Sequence, residues 1–357
     1  MPLKTKKFPP AAIPHIKNRI EQELRRYIGS ADKLYSLSKI SPLLFKSIVN
    51  FILRKGKRAR PILFVIGYLG FARKPAPGLY RSALSLELLH DFMLVHDDII
   101  DKSSTRRGKP SMHEMFNQYL KGRRNIKFNG QDLTIIAGDV MYAMSIQAFL
   151  GIKENLRRKE TALKRLIDAA MYTGSGEFIE LLAGLKGIDK ITREEIYQIY
   201  DYKTANYTFA TPLSVGAGLA GAGKKQVEGL FKYGIYLGRA FQIKDDLLGM
   251  FGKEKETGKS ILADLQEAKK TLLIWQAFRS PEGKYRAAIR AILSKKRIGQ
   301  ADLLKMRRVI AATGALDFAR QEISRLVSAS RMILAASGMR PAYKDLLERY
   351  TEDLLAC

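Results

Sequence analysis

Nowhere in this sequence do apolar and polar residues alternate between hairpin turns, so no strand is predicted. Apolar residues return instead at helical spacing. Ile16, Ile20, Leu24 and Ile28 recur every fourth residue and predict one buried helix stripe. The residue bias agrees, with forty-four Leu against eight Val among 357 residues and Ala common. Ser41-Pro42 reads as a cap followed by a proline in the first helical turn, and Thr192 with Glu195 as a capping box opening a helix through Ile196, Ile199 and Lys203. Breaks rich in Gly, Pro, Ser or charge fall at 102–111, 121–131, 184–191, 252–260 and 279–283. None resembles a flexible linker. The expectation is therefore a single all-α domain spanning residues 1–357.

Charge is the one anomaly. Lys plus Arg number 62 and Asp plus Glu 35, a formal net charge of +27. Such an excess raises nucleic acid, anionic membrane surfaces and small polyanions as partners, beside a merely solvated basic surface. No apolar run approaches the roughly eighteen residues of a membrane span. The basic N-terminus is interrupted by prolines before a signal-peptide core could form. The one cysteine, Cys357, allows no internal disulfide and has no residues after it to make a prenylation box. The expected location is cytoplasmic. No nucleic-acid motif stands out.

The chemistry-bearing stretch is HDFMLVHDDIID, His90 to Asp101. Asp97 and Asp101 lie one helical turn apart on one face, with Asp98 flanking them. Three crowded carboxylates repel one another, and all-oxygen ligands suit Mg²⁺. A solvated face, or pairing with the following Arg106 and Arg107, would also account for them. A second acidic helix end, FQIKDD, carries Asp245 and Asp246 and is followed by Gly249 and a lysine-rich loop. Two such ends with cationic loops nearby suit metal ions holding a diphosphate, while Lys and Arg neutralise the remaining charge. GKRARP, with Lys57 and Arg60, precedes an apolar helix; alone it would pass for a basic surface. RRGKP, with Arg106 and Arg107, follows the first acidic cluster closely, where guanidinium forks would meet phosphate.

In order, GKRARP, HDDIID with RRGKP, KTA (203–205) and FQIKDD with GKS resemble the trans-isoprenyl diphosphate synthases, or polyprenyl synthetases. The likeness is greatest to the archaeal-type short-chain geranylgeranyl diphosphate synthases, and it runs from about Lys57 to Thr271. It implies a large helical bundle around a central cavity and a trans-prenyltransferase that joins isopentenyl diphosphate to an allylic diphosphate. It implies Mg²⁺ held by Asp97, Asp98 and Asp101 on one helix and by Asp245 and Asp246 on another. Arg106, Lys203 and Lys259 would contact the allylic diphosphate, with Thr204 also at the substrate. Lys57, Arg60, His90 and Arg107 would hold isopentenyl diphosphate. Gln242 would lie beside the metals, and Lys269 in a loop that closes over them. His90 alone suits a satisfied helix histidine; its place seven residues before Asp97 supports the ligand role, and His96 is left structural. GEFIE (176–180) resembles a family segment read as Gly-Gln-x-x-Asp, with Glu177 and Glu180 in those two places. A homodimer follows from the resemblance, and the basic excess allows loose contact with anionic membranes.

Two departures stand out: Gly249 occupies the third acidic position of the second motif, and Lys55 breaks a usual double glycine before the basic motif. For chain length, wheel geometry places Met93 about 40° from Asp97 and Phe92 about 140° away, which favours Met93 as a tunnel floor. The resemblance instead points to an aromatic five residues before the motif, where Phe92 stands. Phe92 beside a smaller Met93 resembles enzymes making the twenty-carbon product, with fifteen and twenty-five carbons as alternatives. A terpene cyclase would not need GKRARP, and an HD-type phosphohydrolase would leave the later motifs unexplained.

Overall fold

The computed structural model describes residues 13–252 and 262–355. In chain order the helices are α1 (Ile13–Tyr35), α2 (Leu37–Ile40), α3 (Pro42–Ile52), α4 (Ala59–Leu69), α5 (Leu79–Ile100), α6 (Met112–Leu120), α7 (Gly130–Phe149) and α8 (Leu156–Leu185). A 3₁₀ turn at Ile188–Lys190 leads to α9 (Arg193–Tyr200), then a π-helical segment Asp201–Ala210, α10 (Thr211–Leu219) and α11 (Lys224–Phe251). After the undescribed stretch come α12 (Ala263–Gln266), α13 (Leu272–Phe278), α14 (Gly283–Leu293), α15 (Gln300–Ala312), α16 (Ala315–Ala335) and α17 (Pro341–Leu355). The fold is all-α.

Local signals explain several boundaries. The α1 stripe is buried throughout at Ile16, Ile20, Leu24 and Ile28. Pro42 opens α3, although the Ser41 hydroxyl makes no capping bond. Thr192 and Glu195 form the reciprocal capping box at α9. The helix it opens does not run evenly to Lys203, however. The chain widens to π geometry from Asp201, and the Thr211 N–H reaches back five residues to the Asn206 carbonyl. Pro212 follows directly, and its ring would clash with the carbonyl four residues earlier in a regular helix.

One expectation is corrected in the 102–111 break. Thr105–Arg106 pairs antiparallel with Lys109–Pro110 in a miniature hairpin. Arg107 and Gly108 form its turn with φ of 54° and 70°, the two positive values of a type I′ turn. A two-residue strand is too short to show alternation, so no sequence periodicity could announce it.

The apolar core falls into two clusters. One gathers α1, α3–α5, α7, α10 and the start of α11. The other gathers α9, the end of α11 and α13–α16. α11 runs between them, flanked by the π segment and α16. Two bare glycines allow the first of these contacts. A Cβ on Gly234 would come 2.3 Å from the Ala210 Cα, and one on Gly238 2.3 Å from the Ala205 Cα. The π segment is thus pressed onto α11, which brings Lys203 and Thr204 to the same cavity wall as Gln242 and Asp245. Among the described residues, no helix is long and apolar enough to cross a membrane.

Candidate active site

At the end of α5, adjacent aspartates part company. Asp97 and Asp101 line a cavity of about 570 Å³, while Asp98, rotated about 100° further round the helix, is fully buried. Arg106 holds that buried carboxylate: its Nε donates to Asp98 at 2.7 Å and its Nη2 to Asp97 at 3.2 Å. Burial works against the Arg106 charge, but the bond to Asp98 and the charges of Asp97 and Asp101 outweigh it and raise its pKa. Alternation in the hairpin turns the next arginine the other way, where Arg107 Nη2 lies 3.2 Å from Asp91.

From α8, Glu177 joins Asp97 and Asp101. One carboxylate oxygen of each lies within 4.8 Å of the others, a donor set of the hard-oxygen kind that fits Mg²⁺. Burial raises the Glu177 pKa, with the Lys203 ammonium opposing. Lys203 Nζ sits 2.6 Å from Glu177 and 3.9 Å from Asp97, and it also donates to Glu180. Burial disfavours its charge, yet the carboxylates around it prevail and raise its pKa.

The end of α11 repeats the division. Asp245 is exposed toward the cavity, and Asp246 is buried but, unlike Asp98, also lines the cavity wall. Asp246 accepts from the Tyr200 hydroxyl and, at 3.0 Å, from Gln242 Nε2. Thr204 donates to Gln242 Oε1 at 2.7 Å, and Tyr200 accepts from the Leu272 N–H at 2.9 Å. Burial, with the Asp246 charge, pushes the Tyr200 pKa well up. Arg106, Lys269 and Gly249 complete this part of the wall, and Lys269 pairs with Glu267 at 2.9 Å. Lys259 lies outside the described residues.

A second chamber of about 360 Å³ brings together Lys57, Arg60, His90 and Arg107, the whole set expected for one substrate. Lys57, Arg60, Leu94, Arg106, Phe241 and Asp245 line both spaces, so the chambers share a wall. Arg60 donates to Thr208 at 2.7 Å and stacks 4.2 Å above the Tyr207 ring, whose hydroxyl lies 3.2 Å from His90 Nδ1. Burial and the fields of Arg60, Arg107, Arg106 and Arg58 lower the His90 pKa well below its ordinary value, so its ring is neutral at pH 7. Arg60 Nε and Arg107 Nη1 are buried and have no hydrogen-bond partner among the described residues, donors suited to an anion. The turn before the basic motif is made with Arg58 at φ 54°, while Lys55 is exposed and Gly56 sits against the Arg107 guanidinium. Arg58 itself is buried and bonded to Glu21 and Glu87, a structural member of the motif.

Phe92 and Met93 line neither chamber among the described residues; Leu94, on the Asp101 side of α5, lines both. Phe92 packs instead against His96 and Tyr142, with ring centroids 4.8 and 5.2 Å apart. His96 lies 3.3 Å from the Ile135 carbonyl and against Gly138, as a structural histidine would. Sequence reasoning did not single out Tyr200, Tyr207 or Thr208. Each is a common residue type with no spacing of its own; Tyr200 ends α9, and the widened turn after it carries Tyr207 and Thr208 to the same cavity wall.

The Polyprenyl synthetase family model matches residues 42–310. The short chain isoprenyl diphosphate synthase of Methanocaldococcus jannaschii is 30% identical over 291 residues, 81% of this chain and 80% of that protein. The geranylgeranyl diphosphate synthase of Saccharolobus solfataricus is 32% identical over 267 residues, 71% of this chain and 72% of its own. Among solved structures, geranylgeranyl pyrophosphate synthase from Corynebacterium glutamicum, complexed with isoprenyl diphosphate and magnesium, superposes with a TM-score of 0.85. It is 27% identical and covers 98% of this chain and 99% of its own.

Proposed function

This chain belongs to the polyprenyl synthetase family, and from that premise we propose how its residues divide the work and which product they make. It is a transferase, a trans-prenyltransferase that makes short-chain isoprenyl diphosphates. The product we assign is geranylgeranyl diphosphate, formed by joining isopentenyl diphosphate to an allylic diphosphate. The observation that carries the assignment of roles is the pair of chambers sharing a wall between two acidic helix ends.

In this assignment the allylic diphosphate lies in the larger chamber. Asp97, Asp101 and Glu177 on one side and Asp245 on the other would hold Mg²⁺, whose charge offsets that of the departing diphosphate. Lys203 and Arg106 donate to the leaving oxygens, Lys203 exchanging carboxylate partners for phosphate. Asp98 and Asp246 act from beneath: one fixes Arg106, and the other fixes Gln242 and, through it, Thr204. Isopentenyl diphosphate occupies the smaller chamber. Lys57 and the open donors of Arg60 and Arg107 take its phosphates, and the neutral His90 ring offers one further N–H. Lys269 belongs to the loop that closes over the metals.

As the allylic C–O bond breaks, its electron pair leaves with the diphosphate and a delocalised carbocation remains. The isopentenyl double bond attacks it across the shared wall, and the released diphosphate accepts the proton lost from the new chain. Leu94 and Phe241 give that wall apolar faces that keep water from the cation. The growing chain runs between α5 and α7 toward Phe92, with Met93 beside it, where Tyr142 and His96 back the stop. Phe92→Ala is expected to lengthen the product, read by chromatography after dephosphorylation.

The chain acts as one helical unit, in keeping with the passage of α11 through both core clusters. It pairs with a second copy, as suits the exposed Ile135 and Ile136 on α7 and Phe178, Leu181, Leu182 and Leu185 on α8. It works in the cytoplasm, in keeping with a sequence that has one cysteine, at its end. The test is a product assay with isopentenyl diphosphate and dimethylallyl, geranyl or farnesyl diphosphate, with Mg²⁺ or EDTA. Metal-dependent elongation to twenty carbons is expected. A main product of fifteen or twenty-five carbons would overturn the length assignment, and elongation in EDTA the metal assignment.

A further inference from the structure

Two carboxylates lie deep in α5 beneath the smaller chamber, and no role has yet been given to either. Glu87 and Asp91 are 2% and 0% exposed, one helical turn apart on one face. Glu87 is committed to the fold through Arg58 Nη1 at 2.6 Å. Asp91 is different: neither of its oxygens makes a hydrogen bond among the described residues. Its close partner is Arg107, whose Nη2 lies 3.2 Å from Oδ1. The same Nη2 stands 3.7 Å from Glu87. A carboxylate buried this completely is kept ionised only by a cation, and its one ion-pair partner among the described residues is Arg107, which lines the chamber.

The Arg107 fork is thereby divided. Its Nη2 edge faces the acidic pair below, its plane lies against Gly56, and its Nη1 is buried without a partner. The backbone supports the same aim, since Arg107 occupies the left-handed position of the hairpin turn. Left to itself, an arginine side chain would sample many rotamers and lose more freedom on meeting a phosphate. Held on one edge, it presents the other already oriented.

We propose that Asp91 is a positioning residue for isopentenyl diphosphate: it pins the Nη2 edge of Arg107 so that Nη1 meets the diphosphate. This rests on the assignment of the smaller chamber made above. Burial and Glu87 raise the Asp91 pKa to about 7, against the pull of Arg107, Arg58 and Arg60. The comparison is therefore made at pH 8, where the carboxylate is charged.

The experiment is a double-mutant cycle on the full chain, with D91N, R107Q and the double variant. KM for isopentenyl diphosphate, KM for farnesyl diphosphate and kcat are measured together with thermal melts. D91N is expected to raise the isopentenyl diphosphate KM about tenfold and leave the farnesyl diphosphate KM within about twofold. R107Q should raise the same KM at least as much, and D91N should add less than about twofold in the R107Q background, because both act through one guanidinium. Should D91N fail to fold, the smaller D91S serves in the same cycle. An unchanged or lowered isopentenyl diphosphate KM in D91N, with R107Q still impaired, overturns the positioning role and spares the chamber assignment. Equal losses for both substrates, or additive effects in the double variant, overturn it too. If R107Q itself leaves that KM unchanged, the chamber assignment fails.

Discussion

The ends of α5 and α11 carry the same local device built from different chemistry. In each, one aspartate of an adjacent pair is the more open to the cavity and its neighbour is buried, because successive helical residues diverge by about 100°, although Asp246 still lines the wall and Asp98 does not. At α5 the buried Asp98 is held by a charged fork, Arg106, which also touches Asp97. At α11 the buried Asp246 is held by a hydroxyl and an amide, from Tyr200 and Gln242. The cavity side differs as well. Asp97 has Asp101 a turn further on and Glu177 across from it, whereas Asp245 has Gly249 a turn further on. The α5 end is thus richer in carboxylate and bound rigidly to a cation that also faces substrate. The α11 end is leaner and tied through neutral groups to Thr204. At α5 the adjacent aspartates divide between the cavity and a buried ion pair, whereas at α11 both reach the cavity wall and Asp246 is also hydrogen-bonded from below.

The severest way to break this comparison is to remove an acid that faces the cavity. Asp97→Ala should lower turnover by at least about 10²–10³-fold while the far-ultraviolet circular dichroism stays that of a helical protein. Near-normal turnover would mean that the α5 end does not hold the reacting diphosphate. The buried aspartates should separate next. Asp98→Asn leaves the mostly buried Arg106 charge with Asp97 as its close carboxylate neighbour, at a cost of about 2–3 kcal/mol. Asp246→Asn keeps one oxygen, an acceptor for Tyr200 or Gln242 but not both, and should cost about 1–2 kcal/mol. Thermal melts read the order, and a lower melting point for Asp246→Asn would erase the distinction between charged and neutral anchoring.

How much of this could be read in the sequence follows from the distance over which each feature is specified. The helices were legible because apolar periodicity and caps such as Thr192 with Glu195 are local. The two chambers were legible through motif order: Lys57, Arg60, His90 and Arg107 do converge, although they come from three separate stretches. The division of labour inside a motif was not. Asp97 and Asp98 are chemically identical, and which of them is buried depends on how α5 is rotated in the bundle and on the place of Arg106 in a two-residue hairpin strand. Angles on one helix favour Met93, whereas cavity walls are set by the gap between helices, where Leu94 lines the chambers. Tyr200 was hidden because its role depends on a π turn that begins at the next residue.

Glu177 sharpens the comparison at the α5 end. Glu177→Gln keeps the shape and removes one of the three clustered carboxylates. The Mg²⁺ concentration for half-maximal rate should rise several-fold, on the order of one lost charge-assisted contact. Lys203, relieved of one partner, remains held by Glu180. Titration with Mn²⁺ followed by electron paramagnetic resonance, without substrate, separates weaker metal binding from altered chemistry. Equal binding by both proteins would remove Glu177 from the metal and leave it as a partner of Lys203.

The smallest effect is expected from restoring symmetry. Gly249→Asp would place a carboxylate one turn beyond Asp245, as Asp101 stands to Asp97. Without metal, like charges at this spacing cost a few tenths of a kcal/mol, partly offset by replacing glycine within a helix. The melting point should therefore change little, by about 1 °C or less. With Mg²⁺ and inorganic pyrophosphate the added oxygen ligand should raise it beyond the wild type's own gain. Half-saturating Mg²⁺ should fall about twofold, with turnover scarcely altered, because Mg²⁺ completes its shell chiefly with phosphate oxygens and water. A variant that responds to Mg²⁺ and pyrophosphate just as the wild type does would show that carboxylate number at α11 is not limiting. The two helix ends would then differ in how their anchors are held rather than in how many acids face the cavity.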